Sequence, residues 1–299
     1  MSVAEFRTAC HNYAQKYIDI QMEGFKRMGV LGDWEHPYKT MDPGFEAEEV
    51  KVFGSMYRKG YIYKGLKPVY WCPHDETALA EAEIEYQDDP CTTVYVKFPM
   101  YDDLGKLSHL DKSKLNFVIW TTTIWTLPGN LAIAVHPRES YVLVKADNGA
   151  LYIVAEALCA KVMQAGGFDH YEIVKQFRGQ DFEYMKAQHP FLDKESLLCC
   201  AEYVTMDSGT GCVHTAPGFG ADDYETCKRY GVEMVVPVDD QGRHTEYAGK
   251  YAGMKTDESN PVILADMKES GMLFASEDII HSYPHCWRCL LYTSPSPRD

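Results

Sequence analysis

The chain carries a cluster of threonine hydroxyls at a place where an apolar segment stops. The cluster consists of Thr121, Thr122, Thr123 and Thr126. One apolar run, residues 117–120, leads into it, and a second, residues 131–135, follows the turn formed by Pro128 and Gly129. Hydroxyl groups donate and accept hydrogen bonds, so this cluster can hold a polar ligand where a strand breaks. The alternative is a threonine-rich edge strand, because threonine favours strands.

A second stretch, residues 209–224, combines a histidine with two neighbouring acids in the string G-T-G-C-V-H-T-A-P-G-F-G-A-D-D-Y. His214 follows a glycine turn in a short apolar strand, where a histidine is commonly a hydrogen-bonded structural residue. Asp222 and Asp223 begin a segment with helical spacing, and the helix dipole alone favours acids there. No Ser-His-Asp arrangement is evident, so these patterns do not indicate a nucleophilic triad.

The ten cysteines are scattered, which favours reduced thiols over a disulfide framework. Cys286 and Cys289 have the C-x-x-C spacing of half a zinc knuckle. The candidate for the other half is Cys72, joined by His74 or Asp75 as the fourth ligand. Two alternatives stay open at this point, namely a zinc ion on these side chains or two pairs of reduced structural residues.

The elements that must position these residues fall into two parts. Helical spacing predicts one helix over residues 6–27 and a second that Asp42 caps and Gly60 ends, followed by short strands at 61–64 and 68–72. Many short strands follow, predicted at residues 93–98, 116–121, 131–135, 141–145, 151–154, 171–176, 212–214 and 234–238. Helices are predicted at residues 155–165, 222–230 and 261–270. This mixture predicts a barrel-like α+β domain.

Composition excludes several classes of protein. With 299 residues and 45% hydrophobic content, the chain can bury one large core or two moderate ones. No apolar run approaches the ~20 residues of a membrane helix, and residues 1–5 do not begin a signal peptide, so we expect a cytoplasmic protein without membrane contact. The net charge of −15 argues against a general DNA- or RNA-binding protein. Any nucleic acid should be met at one end or at a local patch.

The two strings together resemble the editing domain of isoleucyl-tRNA synthetase. That family usually has W-T-T-T-P-W-T-L-P-x-N, and residues 120–130 here read W-T-T-T-I-W-T-L-P-G-N. Ile124 replaces the family's proline, and Phe219 stands where a histidine is more frequent. The segment around Cys72 has C-P-H-D where the family often has C-P-x-C, so Asp75 takes the place of a cysteine. The resemblance extends from about residue 6 to residue 289.

The resemblance implies a β-barrel-like editing domain inserted into a Rossmann-type catalytic domain that is only partly present. Residues 1–90 would be the end of the catalytic domain, 91–278 most of the editing domain, and 279–299 the return segment. Residues 294–297 are expected to be disordered, and the sequence from Leu290 to be non-native. The parent enzyme would use ATP and Mg²⁺. The motifs H-I-G-H and K-M-S-K-S do not occur in this sequence, so we expect no aminoacylation by this chain alone.

The implied activity is hydrolysis of valine wrongly attached to the tRNA for isoleucine. Partners would be the aminoacylated tRNA 3′ end and the amino acids isoleucine and valine. The resemblance assigns the ammonium anchor to Asp223, the pocket wall to His214, and ester or ribose contacts to the four threonines. It also suggests substrate contacts for Asp222, Trp125 and Asn130, of which Asn130 could instead brace the loop. We expect direct attack by water. A freestanding deacylase and a non-catalytic tRNA-binding module are the alternatives.

Overall fold

The computed structural model describes residues 1–107 and 110–298. The chain divides into two compact units, Met1–Gly65 and Leu66–Asp299. Within the described residues, no helix has both the length and the apolar character needed to cross a membrane.

The first unit consists of two helices, α1 (Val3–Arg27) and α2 (Pro43–Arg58). Helix α1 begins with a capping box, in which the Glu5 amide donates to the Ser2 side chain and the Ser2 amide donates to the Glu5 carboxylate. Helix α2 begins with Pro43 in its first turn, after Asp42. Both predicted helices are therefore present. Neither contains a buried residue.

The second unit is built mainly of strands. Its elements are β1 (Lys67–Cys72), β2 (Thr77–Leu79), β3 (Ile84–Asp102), β4 (Leu115–Thr121), β5 (Ala132–Val135), β6 (Ser140–Ala146), β7 (Leu151–Ala155), α3 (Cys159–Ala165), β8 (Tyr171–Arg178), β9 (Lys186–Gln188), β10 (Glu195–Cys200), β11 (Cys212–Thr215), α4 (Ala221–Arg229), α5 (Thr256–Glu269), β12 (Leu273–Cys286) and β13 (Ser294–Arg298). Strands β13, β1 and β2 form a small sheet. The other ten form a large mixed sheet in the order β12-β3-β9-β10-β5-β11-β4-β7-β6-β8.

Strand β3 also pairs with β4, so β3, β9, β10, β5, β11 and β4 form a ring of six consecutively paired strands. Apolar side chains from these strands make up much of the main core, which includes the fully buried Phe98, Phe117 and Ile133. The pairing also fixes the site, because β11 lies between β4 and β5 and brings His214 opposite Ile133.

A long two-stranded ribbon, β3 with β12, leads into and out of this sheet. Its register runs from Val96 to Ile84 on β3 and from Leu273 to Cys286 on β12. The predicted domain boundaries near residues 90 and 278 fall inside this ribbon, where Thr92 pairs with Asp278. The two boundaries themselves stay predictions.

Several sequence-based elements differ from the structure. Residues 61–64 form no strand, and residues 234–238 contribute only an isolated bridge at Val238. Pro237 lacks an amide donor, and the segment instead packs closely on Gly218, where a Cβ atom would lie 2.6 Å from the Val235 carbonyl oxygen. The predicted helix at 155–165 becomes α-helical only at Cys159.

The end of the chain also differs from its prediction. Residues 294–297, expected to be disordered, belong to β13, which pairs antiparallel with β1. Strand β13 lies at the edge of the small sheet, the position where a strand tolerates proline because one side of its backbone needs no partner.

Candidate functional site

The threonine segment lies where β4 ends. Strand geometry stops at Thr121, and residues Ile124–Gly129 form a 3₁₀ turn, the threonine turn. The Thr123 amide donates to Thr121 Oγ1 at 3.1 Å. All four threonines line one pocket of about 340 Å³. Thr122 therefore shares one pocket with its neighbours Thr121 and Thr123.

His214 is held at both ring nitrogens. Its Nδ1 atom accepts from the Asn130 side-chain amide at 2.8 Å, and its Nε2 atom lies 3.1 Å from Thr126 Oγ1. The Thr126 hydroxyl donates to the Thr123 carbonyl oxygen at 2.8 Å, so it accepts from His214. These contacts assign the neutral tautomer with hydrogen on Nε2.

Burial, assisted by the nearby positive charge of Lys194, lowers the pKa of His214 from its usual 6.5 to about 3. The imidazole is therefore neutral at physiological pH and has no free lone pair for a proton. These contacts hold the imidazole in a fixed position at the pocket, with both ring nitrogens engaged.

Asn130 supports the histidine from behind. Its side-chain amide also donates to the Ala132 carbonyl oxygen at 2.9 Å, and its Oδ1 atom accepts from the Ser196 hydroxyl. Asn130 is fully buried and does not line the pocket. These contacts favour the second expectation for Asn130, a brace of the loop, and its substrate contact stays a prediction.

Asp223 lies in the first turn of α4 and lines the pocket with the threonines and His214. Its carboxylate accepts from the Ala216 amide at 2.9 Å and from the Tyr203 hydroxyl at 3.3 Å. Burial raises its pKa from 3.8 to about 6 against the opposing effect of these hydrogen bonds. An acid that is desolvated but ionised at neutral pH suits a ligand carrying a positive charge. Asp222 is exposed and is not one of the lining residues, and its suggested substrate contact stays a prediction.

Trp125 is buried and packs edge-to-face on Phe219, with ring centroids 4.8 Å apart. It lines a neighbouring cavity of about 510 Å³ instead of the threonine pocket, and its suggested substrate contact stays a prediction. Phe219 occupies the space beside Gly129, where a Cβ atom would lie 2.8 Å from the Phe219 ring. The tryptophan therefore helps to hold the threonine turn in place.

Tyr283 is a site residue that the sequence did not reveal. Its hydroxyl donates to the Thr122 carbonyl oxygen at 2.7 Å, and its side chain lines both cavities. It lies on β12, in the segment expected to return to another domain. Tyr70, Tyr86 and His281 line the same pocket. The long-range pairing of β12 with β3 places Tyr283, His281 and Tyr86 on one ribbon, and no local pattern signals it.

Cys72 and Asp75 lie beside the pair Cys286 and Cys289. One potential ligand atom from each of Cys72, Asp75, Cys286 and Cys289 lies within 4.8 Å of the others. The Sγ atoms of Cys72 and Cys289 are 3.5 Å apart, and Asp75 Oδ2 lies 3.5 Å from the Sγ atoms of Cys72 and Cys286. Three thiols and a carboxylate are donors that tetrahedral zinc accepts, so this set fits the ion. His74 is not part of the cluster.

Comparison with known proteins gives consistent matches. The family model described as tRNA synthetases class I (I, L, M and V) matches residues 1–287. An isoleucine–tRNA ligase from Caldicellulosiruptor saccharolyticus is 54% identical over 95% of this chain and 31% of its own length. One from a Thermoanaerobacter species is 50% identical over 97% of this chain and 31% of its own length. The chain therefore spans about a third of the length of these curated relatives.

Among solved structures, the protein titled GlLeuRS-CP1 is 15% identical with a TM-score of 0.47, covering 60% of this chain and 97% of its own. The cytosolic leucyl-tRNA synthetase editing domain of P. knowlesi is 12% identical with a TM-score of 0.48, covering 64% of this chain and 97% of its own.

Proposed function

This chain belongs to the class I tRNA synthetases, and we propose that its second unit hydrolyses valine wrongly esterified to the tRNA for isoleucine. The observation that carries the proposal is the pocket itself. It combines a partly buried acid, a neutral histidine fixed at both nitrogens and four threonines. The curated relatives are named as ligases for isoleucine, which supports isoleucine as the amino acid of the parent enzyme.

We further propose that the parent enzyme joins isoleucine to its tRNA with ATP and Mg²⁺. This chain spans only 31% of its relatives' length, so that activity belongs to the whole protein. The second unit would be an inserted editing domain. The antiparallel ribbon of β3 and β12 supports an insertion, because the strands that enter and leave lie side by side. The ring of six paired strands supports the barrel-like description.

Asp223 would bind the α-ammonium group of the aminoacyl ester. Above a pH of about 6 its carboxylate is ionised, and a charge-assisted hydrogen bond in a desolvated pocket is among the stronger polar contacts. The threonine hydroxyls would contact the ribose and the ester, and leave room for a water molecule.

Direct attack by water is the mechanism that these contacts favour. The Thr126 hydroxyl already donates to the Thr123 carbonyl oxygen and accepts from His214, so the histidine does not remove its proton. A covalent acyl-threonine would need a base beside the hydroxyl. Detection of such an acyl-enzyme during turnover would contradict this mechanism.

His214 would exclude isoleucine by size. A buried methylene group contributes about 0.8 kcal/mol of attraction, so contact alone always favours the larger side chain. A pocket that accepts valine and refuses isoleucine therefore needs a rigid wall. The hydrogen bonds at Nδ1 and Nε2 fix the imidazole as such a wall.

The test is hydrolysis of valyl-tRNA and isoleucyl-tRNA, both charged on the tRNA for isoleucine, by the wild-type chain and by His214→Ala. The wild type should release valine and spare isoleucine. The variant should begin to release isoleucine while it keeps activity on the valyl ester. His170→Ala, which changes an exposed histidine, is the control and should behave as wild type.

The same measurement separates the alternatives. A non-catalytic module would bind the charged tRNA without hydrolysing either ester. A freestanding deacylase would hydrolyse the valyl ester at full rate without the rest of a synthetase. A variant that still spares isoleucine, or loses both activities together, would show that His214 is not the wall.

We also propose that Cys72, Asp75, Cys286 and Cys289 hold a structural zinc ion. Such an ion would join β1 to the end of β12, two segments far apart in sequence. Metal analysis of the purified chain should find one zinc ion, and Cys286→Ser should lower that content. If the purified chain contains no metal although all four side chains are unmodified, the cluster consists of reduced structural residues and holds no zinc ion.

A further inference from the structure

One short segment, residues 189–197, forms hydrogen bonds with the threonine turn, and we call it the support segment. Two of its side chains hold successive carbonyl groups of the turn. His189 Nε2 donates to the Leu127 carbonyl oxygen at 2.9 Å, and Lys194 Nζ donates to the Pro128 carbonyl oxygen at 2.6 Å. His189 is itself fixed, because its Nδ1 atom accepts from the Leu192 amide at 3.0 Å.

The support segment also contacts the residues that follow the turn. The Ser196 hydroxyl donates to Asn130 Oδ1, and the Leu197 amide donates to the Leu131 carbonyl oxygen at 3.1 Å. The turn and its exit are thus held at successive positions by one stretch of chain. The same turn supplies Thr126 and Asn130, the two partners of His214.

Lys194 is the unusual member of this support. Its side chain is partly buried, and no carboxylate of the described residues forms an ion pair with it. Its ammonium group instead lies over the Tyr247 ring, 4.8 Å from the centroid, and on the carbonyl end of the 3₁₀ turn. A cation is favoured at the carbonyl end of a helical turn. Burial lowers the pKa of Lys194 to about 8, so the side chain remains mainly charged at neutral pH.

We propose that Lys194 is a positioning residue that sets how strictly the pocket refuses the larger amino acid. It acts through the turn, because fixing the Pro128 carbonyl group fixes Thr126 and Asn130 on either side, and these fix His214. This inference rests on the proposed editing function. Without Lys194 the turn can shift, the imidazole can retreat, and the isoleucyl ester can enter.

The experiment measures kcat/KM for valyl-tRNA and isoleucyl-tRNA with Lys194→Met, which keeps the apolar stem and removes the ammonium group. The ratio of the two values should fall by about tenfold or more, the size expected when one charge-assisted hydrogen bond is lost. Lys194→Arg should restore most of the ratio, because it returns the charge and the donor. Lys51→Met is the matched control, since Lys51 forms an exposed ion pair with Glu48 in the first unit, outside the support segment.

Two results would overturn the inference. One is an unchanged ratio in Lys194→Met, and the other is an equal loss of both activities, which would indicate general support of the fold. If Lys194→Met does not fold, Ser196→Ala replaces it, because it removes the hydroxyl that holds Asn130 and should lower the ratio in the same direction. A wild-type chain that hydrolyses neither ester would instead contradict the proposed function, so the two failures are distinguishable.

Discussion

The two units of this chain use their apolar residues in opposite ways. In the first unit, Tyr13, Ile20 and Phe53 are 64%, 53% and 58% exposed, although they lie on helices with regular apolar spacing. In the second unit, Phe98 and Phe117 are completely buried. Amphipathic spacing thus predicts a helix correctly without indicating whether its apolar face is covered. The candidate pocket belongs to the unit with the covered core, which can hold side chains rigidly.

The largest expected effect comes from equivalent substitutions in the two units. Phe117→Ala should lower the free energy of unfolding by about 3–5 kcal/mol, because it removes a buried ring that packs edge-to-face on Phe182. Phe53→Ala removes a mostly exposed ring and should change the free energy by less than about 0.5 kcal/mol. Urea denaturation of both variants measures the difference. Similar losses would mean that the α2 face is covered in solution.

Asp223→Asn should weaken binding of the aminoacyl ester to the pocket. The amide can still accept from the Ala216 backbone but cannot neutralise an ammonium group, so binding of the ester should weaken by about 1.5–3 kcal/mol. Deacylation of valyl-tRNA measures this loss. Asp222→Asn, on the exposed neighbour, is the matched control and should keep wild-type activity.

The same substitution should also change how stability depends on pH. Because burial raises the pKa of Asp223 in the folded state, the folded chain binds a proton more tightly than the unfolded chain. That extra stability is fully present below about pH 3.8, the usual pKa, and is lost as pH rises through about 6. Asp223→Asn should therefore gain stability relative to wild type over this interval. Parallel stability curves would contradict the raised pKa.

Sequence alone identified the parts of the site that lie in continuous strings. The threonines, His214 and Asp223 were all expected, and the structure brings them to one pocket. The sequence could not reveal Tyr283 or Lys194, because each side chain reaches the threonine turn only after strands distant in sequence have paired. Asp222 and Trp125 were assigned by proximity in sequence; in the structure Asp222 is exposed and Trp125 is buried beside a neighbouring cavity.

The strands likewise differ in how far the sequence predicts them. Strands β4 and β5 were readable because continuous apolar runs end at clear turns. Strand β12 was missed because its exposed stretch carries Glu277, Asp278 and His281, which do not form an apolar pattern. Its pairing with β3, not its composition, makes it a strand.

Tyr283→Phe tests a contact with a smaller expected effect. Losing the bond from the tyrosine hydroxyl to the Thr122 carbonyl oxygen should cost about 0.5–1.5 kcal/mol and slow hydrolysis through the displaced threonines. Tyr95→Phe is the matched control on the same ribbon, because its hydroxyl donates to Glu277 at 3.4 Å and its residue does not line the pocket. We expect the two variants to lose similar amounts of stability. Only Tyr283→Phe should hydrolyse valyl-tRNA more slowly. Equal kinetics would make Tyr283 a structural residue alone.

The smallest expected effect on hydrolysis is that of removing the first unit altogether. Every residue that lines the threonine pocket lies between Tyr70 and Tyr292, and the main core also belongs entirely to the second unit. A variant that lacks residues 1–65 should therefore hydrolyse valyl-tRNA at nearly the rate of the whole chain. It should also aggregate less, because the deletion removes the exposed apolar side chains of α1 and α2. Deacylation kinetics and light scattering, compared at equal concentration, measure the two effects. Loss of hydrolysis with an unchanged thermal transition would mean that the first unit contributes to substrate binding. The two units would then differ in how they bury apolar side chains, but both would take part in the function.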